Sequence, residues 1–210
     1  IAAFKAKGWW SDTRLDDLFE GHVQSKPDVE ACVDPVNSVD IVGREPLRLT
    51  WWQLENRVAR YAAVLNAYGL RKDDALVVQL PNLVDLPAIY LACTRLGIIV
   101  SPAPVQYREH ELAYISTSVD AKAVITATRI GKHAHAEMLV RVKETAPTLQ
   151  HVFTLGEACA GALQIEPLLA GVKQSDIAAA QRAQTDACVS ADDIVTICWT
   201  SGTEARPKGV

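Results

Sequence analysis

The amino-acid sequence predicts an α/β fold, a mostly parallel sheet with helices on both faces. Two observations carry this prediction. Short and almost entirely apolar runs, typical of strands buried on both faces, alternate along the chain with longer segments whose apolar residues recur at helical spacing. Neighbouring parallel strands need a connection of about a dozen residues or more, and the helical segments supply that length.

The N-terminal part of the chain precedes the predicted sheet. An amphipathic pattern predicts a helix that begins near Thr13 or Leu15. Residues 31–48 combine short apolar pieces with proline, asparagine and glycine, which favours a hairpin of two short strands.

The next helix has clear signals at both ends. Thr50 and Gln53 have the spacing of a capping box, in which each side chain accepts a hydrogen bond from the other residue's backbone. Apolar residues then recur on one face up to Gly69, which suits a left-handed C-terminal cap. The sequence therefore predicts a helix over 51–67.

The rest of the chain alternates strands and helices. Strands are predicted at 75–80, 98–100, 123–126, 152–155 and 194–199, and helices at 83–96, 109–118 and 134–145. Residues 156–192 indicate a surface connection with one short helix.

Composition restricts the classes of function. The chain has 210 residues, 49% of them hydrophobic, and a net charge of −4 without a basic tail or face, which argues against nucleic-acid binding. No apolar stretch approaches the roughly 20 residues that span a bilayer, so no transmembrane segment is expected and the cytoplasm is the expected location.

The five cysteines form no C-x-x-C pair, which argues against a disulfide framework or zinc site. We expect four of them to be buried or half-buried: Cys32, Cys93, Cys159 and Cys188.

The C-terminal loop carries the chemical signal. The last predicted strand leads directly into Thr-Ser-Gly-Thr-Glu-Ala-Arg-Pro-Lys-Gly at 200–209. Gly202 lets the backbone approach an anion, hydroxyl groups and successive N–H groups can bind phosphate, and Lys208 adds a positive charge. Five residues separate Gly202 from Lys208, so this is not the Walker spacing of ordinary nucleotide-binding loops. Ligands of open α/β sheets bind beyond the carboxyl ends of the strands, which is where this loop is predicted to lie.

This loop resembles the phosphate-binding signature of the adenylate-forming superfamily, which includes acyl-CoA synthetases, luciferases and adenylation domains. The usual form is Thr-Ser-Gly-Thr-Thr-Gly-x-Pro-Lys-Gly, and Glu204 and Ala205 stand where Thr and Gly are commonest. That departure resembles the variant found in fatty-acyl and related CoA ligases.

The resemblance extends over about residues 10–210. It includes Leu-Thr-Trp-Trp-Gln-Leu at 49–54, Leu-Pro-Asn at 80–82, Pro-Ala-Pro at 102–104 and Arg-Glu-His-Glu-Leu at 108–112. Asp73 stands where the family has glycine. These upstream motifs are interpreted as scaffold, with His110 and Glu111 on a solvated helix face. The four tryptophans Trp9, Trp10, Trp51 and Trp52 are interpreted as packing residues.

The resemblance implies that residues 1–210 are the N-terminal part of the large AMP-binding domain of an adenylate-forming enzyme, ending just after the phosphate-binding loop. The remaining subdomains and the C-terminal domain would lie outside this chain. The implied reaction joins a carboxylic acid to ATP as an acyl-adenylate, releases pyrophosphate, and transfers the acyl group to coenzyme A, with Mg²⁺ on the phosphates. The implied ATP ligands are Thr200, Ser201, Gly202, Thr203, Glu204 and Lys208.

No catalytic residue or metal ligand is assigned within the chain, and the fragment is expected to be inactive alone. An apolar surface exposed on it would favour a homodimer. Two alternatives to the acid–CoA ligase stay open. One is an adenylation domain that loads a carrier protein, and the other is a non-catalytic nucleotide-binding module with a degenerate loop.

Overall fold

A computed structural model describes residues 1–200 and 208–210. In chain order the described elements are α1 (Ala2–Ala6), α2 (Leu15–Ser25), β1 (Glu30–Val33), α3 (Ser38–Val42), β2 (Arg48–Thr50), α4 (Trp51–Ala67), β3 (Ala75–Gln79), α5 (Asp85–Leu96), β4 (Ile99–Pro102), α6 (Glu109–Ser118), β5 (Ala123–Ala127), α7 (His135–Thr145), β6 (His151–Leu155), β7 (Leu163–Gln164), α8 (Ile165–Gly171), α9 (Gln174–Ala187), β8 (Trp199–Thr200) and β9 (Lys208–Gly209).

The main sheet has five described strands in the order β4-β3-β5-β6-β7, and every neighbouring pair is parallel. Two antiparallel pairs, β1 with β2 and β8 with β9, lie outside it. The strands β3, β5 and β6 are almost completely buried, because helices cover both faces. The predicted parallel α/β fold is therefore confirmed.

Alternate residues of each strand enter two separate hydrophobic cores. Leu76 and Val78 pack on one side with α4 and α5, whereas Val77 packs on the other side with α6 and α7. Val124 and Val152 join Val77 in the second core. This period of two is what a strand buried on both faces requires, since successive side chains point to opposite faces.

The predicted helix over 51–67 is confirmed as α4. Thr50 Oγ1 accepts a hydrogen bond from the Gln53 N–H at 3.3 Å, and Gln53 Oε1 accepts one from the Thr50 N–H at 2.9 Å. Gly69 has a φ of +81°, as expected for the predicted left-handed cap. Asp73, with a φ of +68°, adopts the left-handed backbone that glycine would favour, and its N–H donates to the Gly97 carbonyl at 2.9 Å.

The structure corrects two predictions for connecting segments. In 31–48 the strands β1 and β2 do pair, but the prediction of a hairpin alone is wrong because the helix α3 occupies the connection. The buried carboxylate of Asp34 explains this path, since it accepts hydrogen bonds from the N–H groups of Leu47 and Val84. In 156–192 the single short helix is wrong, because α8 and the 14-residue α9 both form there.

The cysteine prediction is wrong at one position. Cys188 caps the C-terminus of α9 with a φ of +47° and is exposed. Cys93 is buried, and Cys32 and Cys159 are half-buried, as predicted. All five cysteines are free thiols, and Cys198 is also exposed.

Candidate functional site

The chain approaches the predicted phosphate-binding loop along the edge strand β4. The Val100 N–H donates to the Val195 carbonyl and the Ile197 N–H donates to the Val100 carbonyl, both at 3.0 Å. Thr196 forms the one parallel bridge of this segment with Val100, and its hydroxyl donates to the same carbonyl at 2.8 Å. The strand predicted at 194–199 is therefore reduced to this bridge and to β8. The segment still runs parallel to β4, towards the carboxyl end of the sheet.

The strands on either side of the predicted loop in the sequence, β8 and β9, form an antiparallel pair. Thr200 lies opposite Lys208, and Cys198 exchanges two backbone hydrogen bonds with Val210 at 2.9 and 2.8 Å. The Thr200 hydroxyl donates to the Lys208 carbonyl at 3.4 Å, and both residues are exposed. Four predicted site residues lie outside the described residues: Ser201, Gly202, Thr203 and Glu204. The structure therefore brings together the two ends of the predicted site.

Trp199 attaches this hairpin to the sheet. Its indole Nε1 donates to Ser101 Oγ at 2.7 Å, and its ring meets the Tyr114 ring edge-on with the centroids 6.1 Å apart. Gly209 lies opposite Trp199, and a Cβ there would lie 3.4 Å from the indole and 3.1 Å from the Ile197 Cγ2 methyl. Glycine therefore lets the indole lie over the partner strand.

Two ion pairs hold the segment before the hairpin. Lys5 Nζ lies 2.9 Å from Asp192, and Lys72 Nζ lies 2.8 Å from Asp193. The hydrogen bond from Lys72 lowers the pKa of Asp193, which also accepts the Ser190 N–H at 2.8 Å. These contacts connect the approach to the loop with the N-terminal segment and with the turn before β3.

A buried polar pair lies at the carboxyl end of β3. Gln79 Nε2 donates to the Pro104 carbonyl at 2.9 Å and to the Tyr107 carbonyl at 3.0 Å, so its Oε1 is left as the acceptor for His135 Nδ1, also at 3.0 Å. This network assigns the proton of neutral His135 to Nδ1. Burial, with smaller effects of Arg108 and a second histidine, lowers the pKa of His135 to about 4. The pair fixes the loop after β4 to the sheet, and the glutamine in an otherwise apolar strand is the sequence signal that could have revealed it.

A buried charge cluster joins α4 to the first residue of α5. Asp85 lies 2.6 Å from Arg44 Nη2 and accepts a hydrogen bond from Arg57 Nε at 2.8 Å and from the Tyr61 hydroxyl at 2.5 Å. Burial alone would raise the pKa of Asp85, but the two guanidinium groups and the hydroxyl outweigh it and lower that pKa. Arg44 also contacts Asp34 at 3.2 Å. The carboxylate is committed to these partners, so we interpret the cluster as structural.

A cavity of about 650 Å³ lies where β5 and β6 end, between α3 and the N-terminus of α7. No predicted site residue that the structure describes lines it. Its lining is Val42, Gly43, Thr128, Arg129, Ala134, Glu137, Glu157, Ala158, Cys159 and Ala160.

The described part of the chain contains no cluster of side chains that could bind Mg²⁺. Among residues 1–200 and 208–210, no three His, Cys, Asp or Glu side chains are grouped so as to hold a metal ion. The described helices are also all too short or too polar to cross a membrane.

Comparisons with known proteins extend over the whole described fold. The family model for the AMP-binding enzyme matches residues 19–210. The medium-chain fatty-acid–CoA ligase of Escherichia coli strain K12 is 26% identical over 210 residues, covering 100% of this chain and 34% of the relative. A salicylyl-CoA synthase / salicylate adenylyltransferase of a Streptomyces species is 27% identical over 206 residues, covering 98% of this chain and 35% of the relative. The chain thus spans about a third of the length of these relatives.

A solved structure supports the same fold. The apo structure of Mycobacterium smegmatis MbtA superposes with a TM-score of 0.78 at 22% identity, covering 100% of this chain and 35% of that one. At this identity the superposition shows the architecture alone. The family match, by contrast, includes the predicted loop and every described strand. The chain therefore belongs to the AMP-binding enzyme family.

Proposed function

We propose that this chain is the N-terminal part of the large AMP-binding domain of an ATP-dependent carboxylic acid–CoA ligase. The observation that carries the proposal is the family match over residues 19–210, which includes the Thr-Ser-Gly-Thr string and Lys208. The described ends of the predicted loop, Thr200 and Lys208, face each other at the carboxyl end of the segment that runs parallel to β4. This is where ligands of open α/β sheets bind.

The proposed reaction has two steps. An oxygen of the substrate carboxylate forms a bond to the α-phosphorus of ATP, and the bond from that phosphorus to the bridging oxygen breaks. The electron pair leaves with pyrophosphate. The thiol of coenzyme A then loses its proton and its sulfur forms a bond to the acyl carbon. The bond from that carbon to the phosphate oxygen breaks, and its electron pair leaves with AMP.

In this scheme the loop binds and orients the triphosphate. Thr200, Ser201 and Thr203 would donate hydroxyl hydrogen bonds to the β- and γ-phosphates, Gly202 would allow the backbone N–H groups to come close, and Lys208 would balance charge on the leaving pyrophosphate. We include Glu204 in this site as a loop residue. Magnesium, which the resemblance implies, is assigned no step, because the described residues offer it no cluster of ligands.

The proposed substrate is a fatty or related carboxylic acid, because one relative is named a medium-chain fatty-acid–CoA ligase. The test is ATP-dependent acyl-CoA formation by the full-length protein that contains this chain, with a panel of short, medium, long, alicyclic and aromatic acids. We expect one class of acid to give a thioester. Lys208→Ala and Thr203→Ala should each lower kcat/KM for ATP by about tenfold or more, the effect expected for loss of a charged or hydroxyl contact in the transition state.

Lys173→Ala is the matched control for Lys208→Ala. Lys173 is an exposed lysine at the start of α9, and we expect its substitution to leave kcat/KM within twofold. Equal losses in the two lysine variants, or no loss in either, would contradict the role given to the loop. The isolated 210-residue chain should release no pyrophosphate above background, and robust turnover by it would contradict the proposed division of the protein.

One alternative has its own support. The Streptomyces relative is named both a CoA synthase and an adenylyltransferase, which keeps an adenylation domain that loads a carrier protein as the second candidate. Acid-dependent exchange of pyrophosphate into ATP without acyl-CoA would favour it. The absence of both signals would leave the non-catalytic nucleotide-binding module, for which Glu204 and Ala205 are the motivating residues.

Two further expectations belong to this proposal. A homodimer is supported by exposed apolar side chains in the N-terminal part, including Trp9 at 70% and Leu18 at 60% exposure, and sedimentation of the full-length protein tests it. A cytoplasmic location agrees with five free thiols, and cell fractionation tests it.

A further inference from the structure

We propose that Trp199 is a positioning residue for the phosphate-binding loop, and that Ser101 of β4 holds it through the indole hydrogen bond. This inference rests on the proposed function, because it assigns to the pair a role in binding the triphosphate of ATP. It concerns how the loop is held, since neither side chain is among the groups that would contact phosphate.

Ser101 is a fixed point of the sheet. It lies within β4 opposite Val77 of β3, and its side chain is completely buried. The indole N–H can only donate, so at 2.7 Å the Ser101 oxygen is the acceptor. The bond therefore joins the hairpin directly to a strand of the main sheet.

The position of β9 depends on β8. Lys208, Gly209 and Val210 are all exposed, and the described contacts of β9 are its pairing with β8 and the packing of Gly209 on Ile197 and Trp199. Both ends of the loop are thus placed by the residues just before it. Trp199 is the last of these, and it immediately precedes Thr200.

The side chain of Trp199 also determines which face of β8 carries Thr200. Successive residues of a strand point to opposite faces, so the indole that contacts Ser101 and Tyr114 directs the Thr200 hydroxyl to the other face. A shift of one residue would exchange the two. The hydrogen bond, which the Tyr114 ring contact supplements, opposes such a shift.

The test uses the full-length protein with Trp199→Phe, Ser101→Ala and the double variant. Phenylalanine keeps an aromatic ring and removes the N–H, whereas alanine removes the acceptor. The matched control is Ser116→Ala on α6, because Ser116 is also completely buried and its hydroxyl contacts no acceptor among the described residues. Ser101→Thr keeps the hydroxyl and tests rescue.

We expect each single variant to raise the KM for ATP about five- to tenfold, the effect of losing one hydrogen bond, while the KM for the acid and kcat stay within about twofold. The double variant should be no worse than the more damaged single variant, because both remove the same bond. Ser101→Thr should approach the wild type, and Ser116→Ala should match it.

A second measurement does not need activity. Backbone hydrogen exchange in the peptide that covers 198–210 should be faster in Trp199→Phe and Ser101→Ala than in the wild type and in Ser116→Ala. Equal exchange in all four proteins, or a fall in kcat and in stability with unchanged KM for ATP, would overturn the positioning role. An inactive wild type that still shows the expected exchange differences would refute the proposed function, whereas the role of the Trp199–Ser101 bond in holding 198–210 would stand.

Discussion

The buried carboxylate of Asp85 provides a strong test of how the fold is held. Asp85→Asn keeps the shape and removes the charge, which leaves the guanidinium groups of Arg44 and Arg57 facing an uncharged amide in a site where they are only 16% and 20% exposed. Breaking one side of a buried ion pair costs about 3–5 kcal/mol. Arg44 keeps its contact with Asp34, so we expect a loss of about 3 kcal/mol in the free energy of unfolding.

Urea unfolding followed by circular dichroism measures this loss. With a slope of about 2 kcal/mol per molar urea, the midpoint should fall by about 1.5 M. The matched control is Glu109→Gln, which breaks the Arg141 pair at 2.9 Å between side chains that are 54% and 51% exposed and should cost less than about 1 kcal/mol. Equal losses in the two variants would refute the reasoning.

The pH dependence of the same variant gives an independent check. The pKa of Asp85 is lowered in the folded protein, so its contribution is complete above the unfolded pKa and is lost as the pH falls through the folded value. The difference between wild type and Asp85→Asn should therefore narrow below about pH 4.

Two other predictions concern a histidine and a glycine. Folded His135 has a pKa of about 4, whereas the unfolded residue takes up a proton near pH 6.5. The free energy of unfolding should therefore fall by about 3 kcal/mol as the pH is lowered from 6.5 to 4. Urea titrations at several pH values should show a weaker pH dependence in His135→Asn, and an unchanged pH dependence would contradict this. Gly97→Ala should cost more stability than Gly43→Ala, although both have φ near +70°, because a Cβ at Gly97 lies 2.8 Å from Lys72 Cγ and one at Gly43 meets nothing within 4 Å. In thermal unfolding we expect Gly97→Ala to lower the free energy of unfolding by about 2 kcal/mol and Gly43→Ala by about 1 kcal/mol. Equal losses would show that the Lys72 side chain moves away without cost.

Much of the sheet could be predicted because its signals are local. Strands such as β3 and β5 are short apolar runs, and α4 carries its own capping box and terminal glycine. The segment 156–192 was harder to predict, since α9 is rich in alanine and polar residues and has one buried residue, Ala180. Its helical pattern is therefore weak in the sequence, and packing on α4 supplies the rest.

The position of the site could be predicted from the sequence, but the side-chain contacts that hold it could not. The string at 200–209 indicated a loop after a strand, and its described ends do lie at the edge of the parallel sheet. The bond from Trp199 to Ser101 joins residues 98 positions apart, and no local spacing indicates such a partner. The Gln79–His135 pair joins residues 56 positions apart, which is also beyond the reach of any local spacing. The residues at 201–204 remain predictions, because they lie outside the described part.

The most direct test of the central claim is carboxylate-dependent exchange of labelled pyrophosphate into ATP by the full-length protein. We expect exchange to require both ATP and one class of carboxylic acid, and we expect Lys208→Ala to reduce it by about tenfold or more while Lys173→Ala does not. Exchange that is absent with every acid, or that is unaffected by Lys208→Ala, would contradict the assignment of this chain to an adenylate-forming ligase.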